Sequence, residues 1–376
     1  MATQLEAPGS EVSARRRLRI AMVSSPWFEV PPEGYGGIEA VCHVLAEGLT
    51  ARGHDVTLIG AGTGHPSAAF LPTFTEPAEG LGTGTSITIE ALHALRAVAR
   101  IQALGDLDVV HDHSVLGPLV ADRHGFPTVV TAHGPVDGDA GELLRGLPTT
   151  VAPVAISHSQ RSEAPDVPWV ETIHHGIDVD EIPFRSAKDD FFLFLGRIDA
   201  TKGPGIAIDV AREAGVRLVM AAKCTDPHER AFFDEEIRPR LGPDVDWFGE
   251  ADEAEKLDLL ARARALLFPI TWSEPFGLVM IEAMAAGTPV LAFRRGAAPE
   301  VVVDGETGVL VDRRYELVAA IRRVDDLDPA ACREHVRRRF SRAAMIDAYE
   351  SLFHRLAEGG GKESIPLQAL RPTSAG

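Results

Sequence analysis

Short apolar runs alternate with segments of helical periodicity along almost the whole chain. That alternation restricts the fold to parallel sheets flanked by helices. Leu18 to Ser24 reads as a buried strand, and Pro26 to Gly37 as a glycine-bearing loop. Ile38, Val41, Leu45 and Leu49 then recur at helical spacing. Arg52-Gly53-His54 ends that helix, and Val56 to Ile59 is the next strand. Such a strand, helix, strand unit needs a crossover, so its strands run parallel. Leu107 to Val110 and Thr128 to Thr131 read as further strands, each followed by histidine-bearing loop residues.

The same grammar restarts at Phe191 to Leu195. A helix is expected around Gly205 to Ala214, and others at 228–240, 252–264, 276–286 and 315–324. Strands are expected at Leu218 to Ala222, Val245 to Phe248, Ala265 to Pro269, Pro289 to Phe293 and Gly308 to Val311. Residues 1–16 and 359–376 read as disordered tails, and 166–188 as a proline-bearing linker between domains at 17–165 and 189–340. Ser341 fits the cap of a last helix, 341–358, expected to return to the first domain. The expectation is two α/β, Rossmann-like domains facing each other. Ligands of open parallel sheets bind at the carboxyl ends of the strands, which places a site in the cleft.

The formal net charge of −18 argues against non-specific nucleic-acid binding but leaves room for a phosphate held by a few local cations. Cys42, Cys224 and Cys332 are scattered without metal or redox spacing, as expected of thiols in a reducing cytosol. No segment approaches the ~20 apolar residues of a membrane span. Arg15-Arg16-Arg17 precede only a short apolar run and read as a basic tail before a strand. A cytoplasmic protein is expected, with membrane contact at most peripheral.

Two carboxylates stand eight residues apart in Glu274-Pro-Phe-Gly-Leu-Val-Met-Ile-Glu282. Pro275 fits a first helical turn, and Gly277 permits close approach of a ligand to the backbone. With a rise of roughly 1.5 Å per residue, the acids would lie about 12 Å apart along the axis, the reach of a sugar joined through a diphosphate to a ribose. The free amides at the helix start would face the diphosphate. Gly196-Arg197 and Lys202-Gly203 follow the first strand of the second half, where Arg offers a planar fork and Lys a mobile charge to phosphate oxygens. Tyr35-Gly36-Gly37 lets the backbone approach a phosphate or sugar from the other half, without the three-glycine dinucleotide spacing. His133, after strand Val129 to Thr131, stands at another strand end and would reach a sugar hydroxyl. His111-Asp112-His113 lacks further ligands at a metal spacing, and His174-His175-Gly176 reads as a structural turn. No nucleophile elbow and no P-loop occurs.

Together these residues resemble a retaining family 4 glycosyltransferase with the GT-B fold, over Leu18 to about Leu356. Glu274-Pro275-Phe276-Gly277 through Glu282-Ala283-Met284-Ala285-Ala286-Gly287-Thr288-Pro289-Val290 matches the family's E-x7-E signature and its continuation. Gly196-Arg197 with Lys202-Gly203 matches its phosphate pair, and Val303-Asp304-Gly305 with Gly308 a further turn. Val30-Pro31-Pro32 with Tyr35-Gly36-Gly37-Ile38-Glu39 resembles a bacterial subgroup that includes enzymes of antibiotic sugar assembly.

The resemblance implies roles. Arg197 and Lys202 would neutralise the donor diphosphate, and Glu282 would hold the ribose hydroxyls. Glu274, with amides of Phe276, Gly277 and Leu278, would contact the donor sugar. His133 would sit beside the transferred sugar, and Gly36 and Gly37 would lie under the diphosphate from the first, acceptor domain. Gly196 completes the donor set. No metal and no cofactor is implied, because cations and helix ends serve instead. The partners are a nucleotide-sugar, UDP-linked first and GDP-linked next, and an unidentified hydroxyl acceptor, but no nucleic acid. Ala221-Ala222-Lys223, Trp272 and His175-Gly176-Ile177-Asp178 depart from the usual family pattern. A sugar-nucleotide epimerase, a phosphorylase and a non-catalytic sugar-binding protein are the alternatives on this plan.

Overall fold

The computed structural model describes residues 16–32, 34, 36–64, 67–81 and 85–359. Tyr35 and almost all of the two expected tails lie outside the described residues.

The first sheet contains β1 (Arg19–Val23), β2 (Asp55–Ala61), β3 (Ala69–Phe74), β4 (Val109–Asp112), β5 (Thr128–Ala132), β6 (Val151–Ala155) and β7 (Glu171–Thr172). Their spatial order is β3-β2-β1-β4-β5-β6-β7, and every pairing is parallel. The second contains β8 (Phe192–Arg197), β9 (Leu218–Lys223), β10 (Val245–Gly249), β11 (Leu266–Phe268), β12 (Val290–Phe293) and β13 (Gly308–Val311). Its order, β10-β9-β8-β11-β12-β13, is also wholly parallel. Both sheets reverse direction of growth beside their first strand, β1 against β4 and β8 against β11. Such switch points leave an opening at the strand ends for a ligand.

Parallel strands covered on both faces must be apolar on both. β8 shows this: Leu193 packs into one core layer while Phe192 and Phe194 pack into the other. In the first domain, the helix Gly37–Ala51 follows β1 and buries Val41, Cys42, Leu45 and Leu49 at helical spacing.

Several local expectations need correction. The segment 166–188 is not all linker: β7 pairs with β6 at Val154 and Ala155, and Val167, Trp169 and Val170 are buried. Edge strand β3 and the helix Ser86–Leu104 were unanticipated. The helix expected over 228–240 breaks into Pro227–Phe232, a wide turn Phe233–Ile237 and a tight turn Arg238–Arg240.

The last described helix, Arg342–Gly359, belongs to the first domain. Met345, Ile346, Tyr349, Leu352 and Phe353 pack into the core that holds Leu45, Leu49 and Val129. Fully burying one such large apolar side chain contributes about 1.5–3 kcal/mol. Ser341 Oγ accepts the Ala344 amide at 3.3 Å near its start. The chain therefore passes between domains twice, and the two passages are bonded together. Ile177 N donates to Phe340 O at 3.0 Å, and Arg342 N donates to Ile177 O at 2.7 Å. A second junction lies at Glu300, whose carboxylate accepts the amides of His158 at 2.9 Å and Ser159 at 2.5 Å and meets His174 Nε2 at 3.0 Å.

Candidate active site

A cleft of about 1150 Å³ opens between the domains. Its walls come from the carboxyl ends of the strands: Ser25 beyond β1, His113 beyond β4, His133 beyond β5, Arg197 on β8, Lys223 on β9 and Glu250 beyond β10. The residues singled out in the sequence, Gly36, Gly37, His133, Gly196, Arg197, Lys202, Glu274, Phe276, Gly277, Leu278 and Glu282, all line it.

The Glu274 segment differs from expectation in one respect. Pro275 is not in a helical turn, because the helix begins at Leu278 and runs to Ala285. Gly277 is its N-cap, with φ 83 and ψ 69, a left-handed conformation that breaks the helix there. Glu274 therefore stands on a separate turn and Glu282 on the helix, so the 12 Å helical spacing does not apply between them. The turn is fastened by Ala297 N, which donates to Glu274 O at 2.9 Å. Gly296, with φ 53, lies against it so closely that a Cβ would meet Glu274 N and O at 2.4 Å.

Three cations on this wall have acidic partners. Lys202 Nζ lies 2.5 Å from Glu274 Oε2 and 4.9 Å from the Trp272 ring centre. Arg197 Nε donates to Glu229 Oε1 at 2.6 Å. Glu229 is held in turn by the amides of Thr225 at 3.0 Å and Asp226 at 3.2 Å. Lys256 Nζ meets Glu282 Oε1 at 2.9 Å and Glu253 Oε2 at 2.7 Å. Burial alone would lower the Lys256 ammonium, but the two carboxylates outweigh it and raise it above the ordinary lysine range. The wall thus sets basic groups and helix amides beside two oriented carboxylates, an arrangement suited to an anion carrying hydroxyl-rich groups at both ends.

A row of histidines forms the floor. His113 Nδ1 and His133 Nε2 share a hydrogen bond at 2.8 Å. The His133 ring stacks on His175 at 5.2 Å, and His175 meets Phe276 edge-on at 5.1 Å. Behind them, His111 Nε2 bonds Thr131 Oγ1 at 2.8 Å and its ring lies 4.7 Å from Tyr349. Burial lowers all four imidazoles, His133 to about 3. These rings are neutral at pH 7, so His133 faces the cleft as a hydrogen-bonding group rather than as a charge.

His175 corrects the structural-turn reading, since it is part of the cleft. Lys256, Glu229, Ser25, Trp27 and Glu39 were not recognised as site or site-supporting residues. Glu39 alone carried a signal, in its place two residues after the Gly36-Gly37 turn. Among the described residues, two groups of histidine and carboxylate atoms converge within 4.8 Å: His54, Glu350 and His354, and His158, His174 and Glu300. Neither lines the cleft. Among the described residues, no helix is long and apolar enough to cross a membrane.

Residues 35–181 match the family described as Glycosyltransferase Family 4, and residues 178–344 match Glycosyl transferases group 1. A glycogen synthase of Mycobacterium tuberculosis is 30% identical over 374 residues, covering 85% of this chain and 89% of its own length. The chain belongs to the family 4 glycosyltransferases. A phosphatidyl-myo-inositol mannosyltransferase of the same organism is 29% identical, with 78% and 82% coverage. The crystal structure of AviGT4, a glycosyltransferase involved in avilamycin A biosynthesis, superposes with a TM-score of 0.69 at 27% identity, covering 91% of this chain and 98% of that one. The two parallel sheets and their cleft make this glycosyltransferase a GT-B protein.

Proposed function

We propose that this glycosyltransferase moves a sugar from a nucleotide-sugar, UDP-linked in the first instance and GDP-linked in the second, to an acceptor hydroxyl with retention at the anomeric carbon. One observation carries the reading. Arg197, Lys202, the leading amides of the Leu278–Ala285 helix, Glu274 and Glu282 share one wall of one cleft.

Glu282, oriented by Lys256, would accept hydrogen bonds from the ribose hydroxyls. Arg197 and Lys202 would hold the diphosphate, and Glu274 the hydroxyls of the sugar. The bond from the anomeric carbon to the diphosphate oxygen breaks as charge grows on the leaving group. The acceptor oxygen bonds to that carbon from the same face, and its proton passes to a diphosphate oxygen. Fixed cations and amides aimed at the leaving group lower the barrier, usually the largest single contribution in such chemistry. His133, neutral and part of the floor, would hydrogen-bond the transferred sugar. The protein's own cations fill the role of a divalent metal in this scheme, so chelator should leave turnover unchanged.

Thermal shift against UDP, GDP, ADP and TDP tests the donor. Proton NMR of the product tests retention. Binding of a nucleotide-sugar with no nucleotide release, whatever hydroxyl compound is offered, would support a binding protein instead.

A further inference from the structure

The two walls of the cleft differ in charge. Arg197, Lys202, Lys223 and Lys256 all stand on the second domain. Among the described residues, the first-domain wall supplies no lysine or arginine to the cleft. It supplies carboxylates instead. Glu39, buried at the start of the helix Gly37–Ala51, accepts from Ser25 Oγ, and Glu90 accepts from Trp27 Nε1 at 2.7 Å. Burial raises both carboxyls above the usual range.

Among the described residues, buried polar atoms on this wall stand without a partner, Glu90 Oε2 and His113 Nε2 among them. His113 is only 3% exposed and lines the cleft, and its Nε2 has no hydrogen-bond partner among the described residues. A buried polar atom left unmatched is costly, and a ligand hydroxyl at that point would relieve the cost. Leu81 and Val115, at 51% and 59% exposure, form an apolar rim beside it.

We infer that the acceptor is a hydroxyl-rich molecule bearing no phosphate or carboxylate, seated against Ser25, Glu39, Glu90 and His113. This deepens the transferase reading and rests on it. The acceptor contributes one hydroxyl oxygen to the new glycosidic bond and gives up that hydroxyl's proton with the diphosphate. An anionic acceptor would meet buried carboxyls with no cation to pair with, while the donor diphosphate occupies the basic wall opposite.

The test begins by passing a small-molecule extract of the source cells over an anion exchanger. The unretained and retained fractions are then offered separately to the full chain with labelled UDP-glucose, and in parallel with labelled GDP-mannose. Label should move at least tenfold faster into the unretained fraction. Transfer confined to the retained fraction overturns the inference and leaves the transferase reading intact. No transfer into either fraction counts against that reading, and the inference falls with it. A second measurement is the KM split in Glu39→Gln. Acceptor KM should rise roughly tenfold while donor KM holds; a change in donor KM alone refutes the placement. If Glu39→Gln does not fold, His113→Asn carries the same comparison.

Discussion

Acid should unfold this protein before most of its carboxylates titrate, because its histidines are buried uncharged. His111, His113, His133 and His175 are all held below the ordinary imidazole value by burial, and His93 is lowered to about 4. In the unfolded chain each would titrate near 6.5. A depressed pKa in the fold gives stability that is present above the unfolded value and lost as pH falls toward the folded value. Asp112 works the other way. Burial raises it to about 7, so the fold gains from its protonation as pH drops, which cancels one histidine. The raised carboxyls of Glu39 and Glu90 trim the balance further. His124, lowered to about 4, and His335 add to the histidine side. A net uptake of several protons on unfolding remains, each worth about 1.4 kcal/mol per pH unit below pH 6. Their sum is a large part of a typical stability of about 5–15 kcal/mol. Urea unfolding at pH 7.0, 6.0 and 5.0 should show the midpoint collapse over the last unit. His175→Asn should make the pH dependence shallower by about one proton. Equal midpoints at pH 6.0 and 5.0 would refute the assignment of neutral imidazoles.

Arg197→Ala should slow turnover about a hundredfold, on the order of 3 kcal/mol, with a smaller effect on donor affinity; nucleotide-release rates at saturating donor decide it. Glu282→Ala should raise donor KM, and Lys256→Ala should raise it in the same direction by leaving Glu282 without its 2.9 Å partner; isothermal titration with UDP measures both, and unchanged affinity in the pair refutes the ribose assignment. Gly296→Ala should displace the Glu274 turn, since its Cβ would meet Glu274 N and O at 2.4 Å. Activity should fall at least tenfold, while the Tm falls by several degrees at most; wild-type turnover would show that Glu274 does not need this backbone position.

The two-domain plan was legible because its evidence is local. Leu18 to Ile59 announces strand, helix and strand within about forty residues, and Phe191 onward repeats the announcement. The helix Ser86–Leu104 was not legible for the opposite reason. Its buried face includes Glu90 and His93, so the apolar period is diluted. β3 holds Pro72 and is only half-buried, which is tolerable on an edge and uninformative in a sequence. β7 has two residues, too few to show a period. The site divides similarly. Glu274 to Glu282 is one contiguous segment, and its neighbours in space are partly its neighbours in sequence. Lys256 with Glu282, Arg197 with Glu229, and His133 with His175 meet only after distant elements pack. His175 follows β7, and a strand too short to detect could not reveal that the next histidine faces the cleft.

The return of Arg342–Gly359 to the first domain has a consequence for synthesis. Leu45, Leu49 and Val129 leave the ribosome long before the side chains that cover them. The amino-terminal half must wait, incompletely sealed, while the whole carboxyl-terminal half is made. A stop codon before residue 342 would thus leave the earliest-made domain with its apolar surface open, while the later-made one retains its full sheet.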